Sequence, residues 1–202
     1  MELTDIVEFS HLWKKFSLVD DTDSYIDSNY SNENDDYLEL PDDVVIMIIN
    51  NDNQIDDVES ILSSINIIGI DVEWRPFASS SLANKCSLLQ IACKSNIFLF
   101  DLMSLEKKWM IECDDDNDND DDDYCPNFRN LLKHIFSSES ILKLGFGLSG
   151  DFNRLSVSFP NSKQYNFKDL KNYLDLSMLH QCTNKSLAVA CKEYLSKSLD
   201  KR

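Results

Sequence analysis

The segment Ile67-Ile68-Gly69-Ile70-Asp71-Val72-Glu73-Trp74 constrains the chain most. Its aliphatic residues have the length and β-branching of a strand in the middle of a sheet, yet two acids stand in it two positions apart. Side chains alternate across a strand, so Asp71 and Glu73 share one face while Ile70 and Val72 point to the other. Burying one such carboxylate is costly unless it is paired or bound to a cation. Two of them ~7 Å apart along the strand, at ~3.3 Å per residue, can share a hydrated divalent ion. The plainer alternative is a strand end at which both acids reach water.

A second feature is the use of glycine. The chain has four, and three fall within Gly145-Phe146-Gly147-Leu148-Ser149-Gly150, just before Asp151. Glycine is needed where the backbone turns tightly or lets something approach closely. Ile141–Phe146 reads as a strand, followed by a tight turn and a helix starting near Asp151. That order puts Asp151 at the carboxyl edge of a sheet, where α/β proteins bind ligands. A phosphate-cradling loop is the rival, but no G-K-[ST] follows and an aspartate would repel the phosphate. A simple helix cap is the other alternative.

The remaining periodicities fill in the fold class. Val44–Ile49 reads as a strand, and Ile55, Val58, Leu62 and Ile65 are spaced for one helix face. Asn66–Trp74, Cys86–Cys93 and Asn96–Leu102 are strand candidates with separations short enough for antiparallel neighbours. Phe128, Leu131, Leu132, Ile135 and Phe136 recur at i, i+3, i+4, i+7, i+8, the cleanest helix in the chain. Leu187, Cys191, Tyr194 and Leu195 mark a last helix. Hairpins followed by strand–helix alternation predict an α/β layer fold with a mixed sheet flanked by helices.

Charge sharpens the division of the chain. The net charge of −17 argues against a nucleic-acid partner until its distribution is read. Residues 1–60 hold 17 Asp and Glu against two Lys, and residues 112–124 hold nine acids and no base. Everything else carries 17 Lys and Arg against ten acids and is basic. Residues 18–43, rich in Asp, Asn and Ser, are expected to be linker or disorder, because they have too little apolar surface to offset ordering. Residues 1–43 therefore read as an acidic, largely disordered segment, with a short docking helix over Phe9, Leu12, Trp13 and Phe16. The run at 112–124 lacks the spaced ligands of a calcium loop and reads as a solvated insertion. Residues 44–202 form the domain.

No apolar run approaches the ~18–20 residues of a membrane span, and the acidic start MELTDIVEFS does not have the layout of a secretory signal. The expected location is intracellular, in nucleus or cytoplasm, without membrane contact. The six cysteines form no close pairs and are expected to be reduced and mostly buried. His11, His134 and His180 have no partner that indicates catalysis.

IGIDVEW, SLLQIA, IFLFDL, LKLGFGLSGDF and YLDLSML, in this order, resemble the DEDD family of 3′-5′ exonucleases. Ribonuclease D and the Werner-syndrome exonuclease domain belong to it, and the wording DVEWRP and LGFGLSGD is similar to its mutator-seven type. The resemblance covers about residues 44–202. It implies a ribonuclease H-like fold, two divalent metal ions (Mg²⁺ or Mn²⁺), and removal of nucleotides from the single-stranded 3′ end of DNA or RNA. By this resemblance Asp71 bridges both metals, Glu73 holds the metal that activates water, and Asp151 supports the other. Trp74 and Arg75 are candidate nucleic-acid contacts by stacking and charge, against core packing and a surface salt bridge.

The family's third motif, a Tyr or His with an Asp four residues later on a helix after the last strand region, is not found where the order requires it. Tyr165 with Asp169 has that spacing but precedes YLDLSML, and is read as chance. The chain is accordingly expected to be a fragment without the last helices of the fold. The alternative is a catalytically inactive binding module for nucleic acid or protein. A third class of reading uses the acidic stretches to bind a basic protein partner.

Overall fold

The computed structural model describes residues 36–74, 85–105, 126–158, 170–179 and 185–199. Six strands form one mixed sheet in the order β1-β4-β3-β2-β5-β6. They are β1 (Val45–Ile49), β2 (Ile67–Trp74), β3 (Cys86–Ala92), β4 (Asn96–Asp101), β5 (Leu142–Gly145) and β6 (Tyr173–Asp175). Strands β2, β3 and β4 are antiparallel neighbours, as their short separations predict, whereas β1 joins β4 in parallel and β2, β5 and β6 run parallel.

The four helices are α1 (Ile55–Leu62), which ends before Ile65, α2 (Pro126–Ser137), α3 (Leu148–Ser158), which starts three residues ahead of Asp151, and α4 (Leu187–Leu195). Asn51 and Gln54 cap a short 3₁₀ turn ahead of α1, each side chain accepting a backbone N–H from the other's end. Asp52 in that turn reaches across 75 residues and accepts from the amides of Asn127 and Phe128 at 3.3 and 2.9 Å. A carboxylate thereby satisfies the open first turn of α2 and sits favourably at its dipole.

Alternate residues of the central strands, among them Ile68, Ile70, Val72, Leu89, Ile91, Phe98 and Phe100, are buried in one cluster with residues of all three of α1, α2 and α3. Phe100 stacks against Phe128 at 5.4 Å, and Phe152 meets Phe136 edge to face at 5.5 Å. These aromatic contacts tie α2 and α3 to the sheet and to each other. Lys143 is fully buried on β5 and donates from Nζ to the carbonyls of Ser138 and Lys171. It pins the chain after α2 to the chain before β6, and burial holds its ammonium pKa down at about 8.

The structure differs from the sequence-based expectation before β1. Leu38 is buried against Cys191 and Leu199, with Leu187 and Leu195 around it. Leu38 N–H donates to the Ser198 carbonyl at 3.1 Å, and Ser198 N–H donates to Asp36 at 3.0 Å. Residues 36–38 are therefore stitched to α4 and the residues just after it, although they belong to a stretch with the composition of a linker. The acidic run at 112–124 and residues 1–35 lie outside the described residues.

At the end of β5 the sequence permits one residue type. A β-carbon on Gly145 would lie 2.1 Å from Leu148 Cδ2 and 2.9 Å from the carbonyl oxygen of Ile70. Gly145→Ala is expected to destabilise the protein by roughly 1–3 kcal/mol in urea unfolding. Adding Leu148→Ala is expected to return only part of the loss, since the Ile70 carbonyl is backbone and cannot retreat.

Candidate functional site

Parallel pairing sets the level of each acid. Gly69 lies opposite Leu144 on β5, which puts Asp71 two residues on, level with the chain just leaving β5. Gly145 lies opposite Asp175 on the far side. Asp71 and Asp175 thus flank the carboxyl end of β5, two strand spacings or ~10 Å apart in backbone. The turn between them starts α3, whose first turn carries Asp151. Helix α3 begins at Leu148, so Asp151 is inside the helix and is not its cap.

Asp71 and Glu73 share one face of β2, with Ile70 and Val72 buried on the other. Gln90 lies opposite Asp71, and its amide donates to Glu73 at 3.5 Å, the far edge of hydrogen-bond range. The β2–β3 register shifts between Glu73 and Trp74. Such an irregularity re-aims the following side chain, and Trp74 comes to lie under the guanidinium of Arg154, 5.1 Å from its ring centre.

Asp175 is the acid that motif reading passed over. Its Oδ1 accepts from the amide of Gly147 at 2.9 Å and from the amide and hydroxyl of Ser177 at 3.0 and 2.7 Å. Gly147 has φ +86°, a conformation side chains disfavour. One carboxylate oxygen therefore ties the glycine turn before α3 to the end of β6. The available signal was an Asp closing a short apolar segment and followed by Ser, the pattern of an Asx turn.

Asp151 is 6 % exposed, and its Oδ2 has no hydrogen-bond partner. Burial pushes its pKa up to about 8, and the negative charges of Asp71, Asp175 and Glu73 add to the shift. Asp151 on α3 therefore feels three further carboxylates, from β2 and β6, at the carboxyl end of the sheet. An acid cluster of this kind is chemically suited to a hard divalent cation such as Mg²⁺ or Mn²⁺, which takes oxygen ligands. The orphaned Oδ2 of Asp151 fits that purpose. Among the described residues no three His, Cys, Asp or Glu stand close enough together to hold an ion as placed, so the fit is one of donor type and charge.

Asp71, Glu73 and Asp151 are thus brought to one end of the sheet and electrostatically coupled, and Trp74 lies beside them. Arg75, and the Tyr165–Asp169 pair, lie outside the described residues. His134 is exposed on α2, away from these acids in sequence and element. No helix among the described residues is long and apolar enough to cross a membrane.

Residues 46–202 match the family model described as 3′-5′ exonuclease. The human exonuclease mut-7 homolog is 28 % identical over 122 residues, covering 60 % of this chain and 13 % of that protein. The Aedes aegypti exonuclease mut-7 homolog is 24 % identical over 152 residues, covering 67 % of this chain and 19 % of that protein. The chain spans less than a fifth of the length of these curated relatives. Among solved structures, the Aedes aegypti Nibbler EXO domain superposes with a TM-score of 0.59 at 22 % identity, covering 77 % of this chain and 71 % of that one. The catalytic core of Trypanosoma brucei RRP6 gives 0.57 at 19 % identity, covering 83 % and 39 %. At these identities the two structures establish a shared fold of the ribonuclease H-like exonuclease type.

The raised pKa of Asp151 has a defined consequence for stability. Between about pH 4 and pH 8 the unfolded chain has lost this proton while the folded chain keeps it, so the folded state binds more protons and stability falls as pH rises. In chelated buffer, Asp151→Asn is expected to flatten that decline by on the order of 1 kcal/mol per pH unit. Urea unfolding at pH 5, 6, 7 and 8 measures it; parallel wild-type and variant curves would contradict the assignment.

Proposed function

Because the chain belongs to the 3′-5′ exonuclease family, we propose that it hydrolyses single-stranded nucleic acid from the 3′ end, with Asp71, Glu73 and Asp151 as the acids that hold the metal. The family is divalent-metal dependent; two Mg²⁺ or Mn²⁺ ions are the proposal for this chain. The observation that carries the reading is the electrostatic convergence of Asp71, Glu73 and Asp175 on buried Asp151, inside the matched region.

Each residue has a separate task. Asp71 and Glu73 project from a central strand whose pairing with β3 runs through both of them, which fixes their spacing. Asp151 enters from the first turn of α3 and presents an oxygen with no competing partner. Asp175 holds the turn that sets where α3 begins. Trp74 offers an aromatic face on which a base stacks irrespective of sequence. When bound, the metals supply an activated water and neutralise charge on the scissile phosphate.

A Trypanosoma brucei RNase D has been crystallised with RNA U12, which makes an RNA single strand the first substrate to test, with DNA beside it. The family's Tyr-x₃-Asp spacing occurs in this sequence only at Tyr165–Asp169, ahead of β6. Turnover by these 202 residues is therefore expected to be slow and is read with protein in excess. With Mn²⁺, strands with a free 3′ end should shorten and 3′-blocked strands should not, and EDTA should stop the reaction. Asp71→Asn and Asp151→Asn should each lower the rate at least ~100-fold. Shortening that survives EDTA, ignores the 3′ block or is unchanged in Asp71→Asn would refute the proposal.

A further inference from the structure

The rim of the acid cluster carries one cation whose bonding is unusual for its position. Arg154 lies three residues after Asp151 on α3, and so on the same side of the helix. Three carboxylates act on Asp151 one turn away, yet the Arg154 guanidinium forms no ion pair or hydrogen bond with any described residue. It lies over the indole of Trp74 at 5.1 Å instead. An arginine in this setting ordinarily closes on a carboxylate in a two-pronged bond. Here the flat face of the guanidinium is spent on the ring, and its edge, with five N–H donors, is not.

We propose that Arg154, seated on Trp74, is a binding residue for a backbone phosphate of the single strand, adjoining the acids. It rests on the proposed nuclease function. The chemistry fits on two counts. A guanidinium edge matches two phosphate oxygens, and the stack on Trp74 fixes its plane before the strand arrives, which lowers the ordering cost of binding. The position answers a need of the site as well: a polyanion approaching four carboxylates is repelled unless a cation stands at the entrance. Trp74 then serves two purposes, as the seat of Arg154 and as one wall of the path taken by the strand.

The test is binding of a 5′-fluorescein 12-nucleotide RNA by anisotropy in Ca²⁺ across a salt series, for the wild type, Arg154→Gln and Arg154→Lys. Circular dichroism melts report folding. Each phosphate contact to a single strand contributes about 0.7 to the slope of log affinity against log salt. Arg154→Gln is expected to lose that much slope and to weaken binding roughly tenfold at low salt. Arg154→Lys should keep the slope and lose only severalfold in affinity, because charge remains without the fork. An unchanged slope in Arg154→Gln overturns the proposal, as does equal loss of slope in Arg154→Lys. The nuclease proposal fails separately, through Asp71→Asn leaving metal-dependent shortening intact. Absence of strand binding by the wild type overturns both.

Discussion

Ile70's carbonyl oxygen and the side chain of Leu148 both press on the space where a β-carbon of residue 145 would lie. That close approach governs the rest of the site. Because residue 145 is glycine, β5 ends tight against β2 and Leu148 folds directly across it into the core. Helix α3 therefore starts three residues later, and its first turn lies over the level of Asp71. A larger residue would push Leu148 outward, and Asp151 with it. The positive φ of Gly147 and its bond to Asp175 finish the same turn from the other side.

Burying Asp151, with three further carboxylates acting on it, opposes folding, and burial first and their charge second raise its pKa. That cost is borne by elements that have little freedom to move. Ile68, Ile70 and Val72 anchor β2 by the faces the acids do not use, and Leu148, Phe152 and Leu155 anchor α3. Functional sites commonly hold such unfavourable arrangements on a rigid scaffold, since the same oxygens are useful when a cation arrives. Asp71, Glu73 and Asp151 come from one central strand and one helix turn, both fixed by apolar packing, while Asp175 at the end of β6 is held by its hydrogen bonds to Gly147 and Ser177.

What was legible in the sequence follows from which signals are local. The alternation in β2 and the i, i+3, i+4, i+7, i+8 spacing in α2 identify both elements and the faces they bury. Asp71, Glu73 and Asp151 could be singled out because each stands beside a pattern that needs explaining. Strand β6 could not, having three residues, an exposed Tyr173 and only backbone pairing to β5 to define it. Asp175 becomes meaningful only through a bond to Gly147, 28 residues away. Leu38 was hidden in a polar stretch because its partners, Cys191 and Leu199, lie at the other end of the chain. Arg154 shares a helix side with Asp151 by simple spacing, but its seat depends on the register shift that turns Trp74. The asymmetry is physical: periodic packing is written into neighbours, and tertiary pairing is not.

On the proposed nuclease reading, the overall charge of −17 is a poor guide to what this domain handles, and the reason is local. A surface that cuts a polyanion has to be negative where the reacting phosphate meets the metal and positive where the next phosphates lie. Charges of both signs must then stand within a few ångströms without cancelling one another. Direct pairing of Arg154 with Asp151 or Glu73 would remove both functions at once. The indole of Trp74 prevents this by giving the guanidinium a face to rest on that carries no formal charge. An aromatic residue directly after the acid pair, re-aimed by an irregularity in the strand, is thus a means of keeping a cation near carboxylates and separate from them.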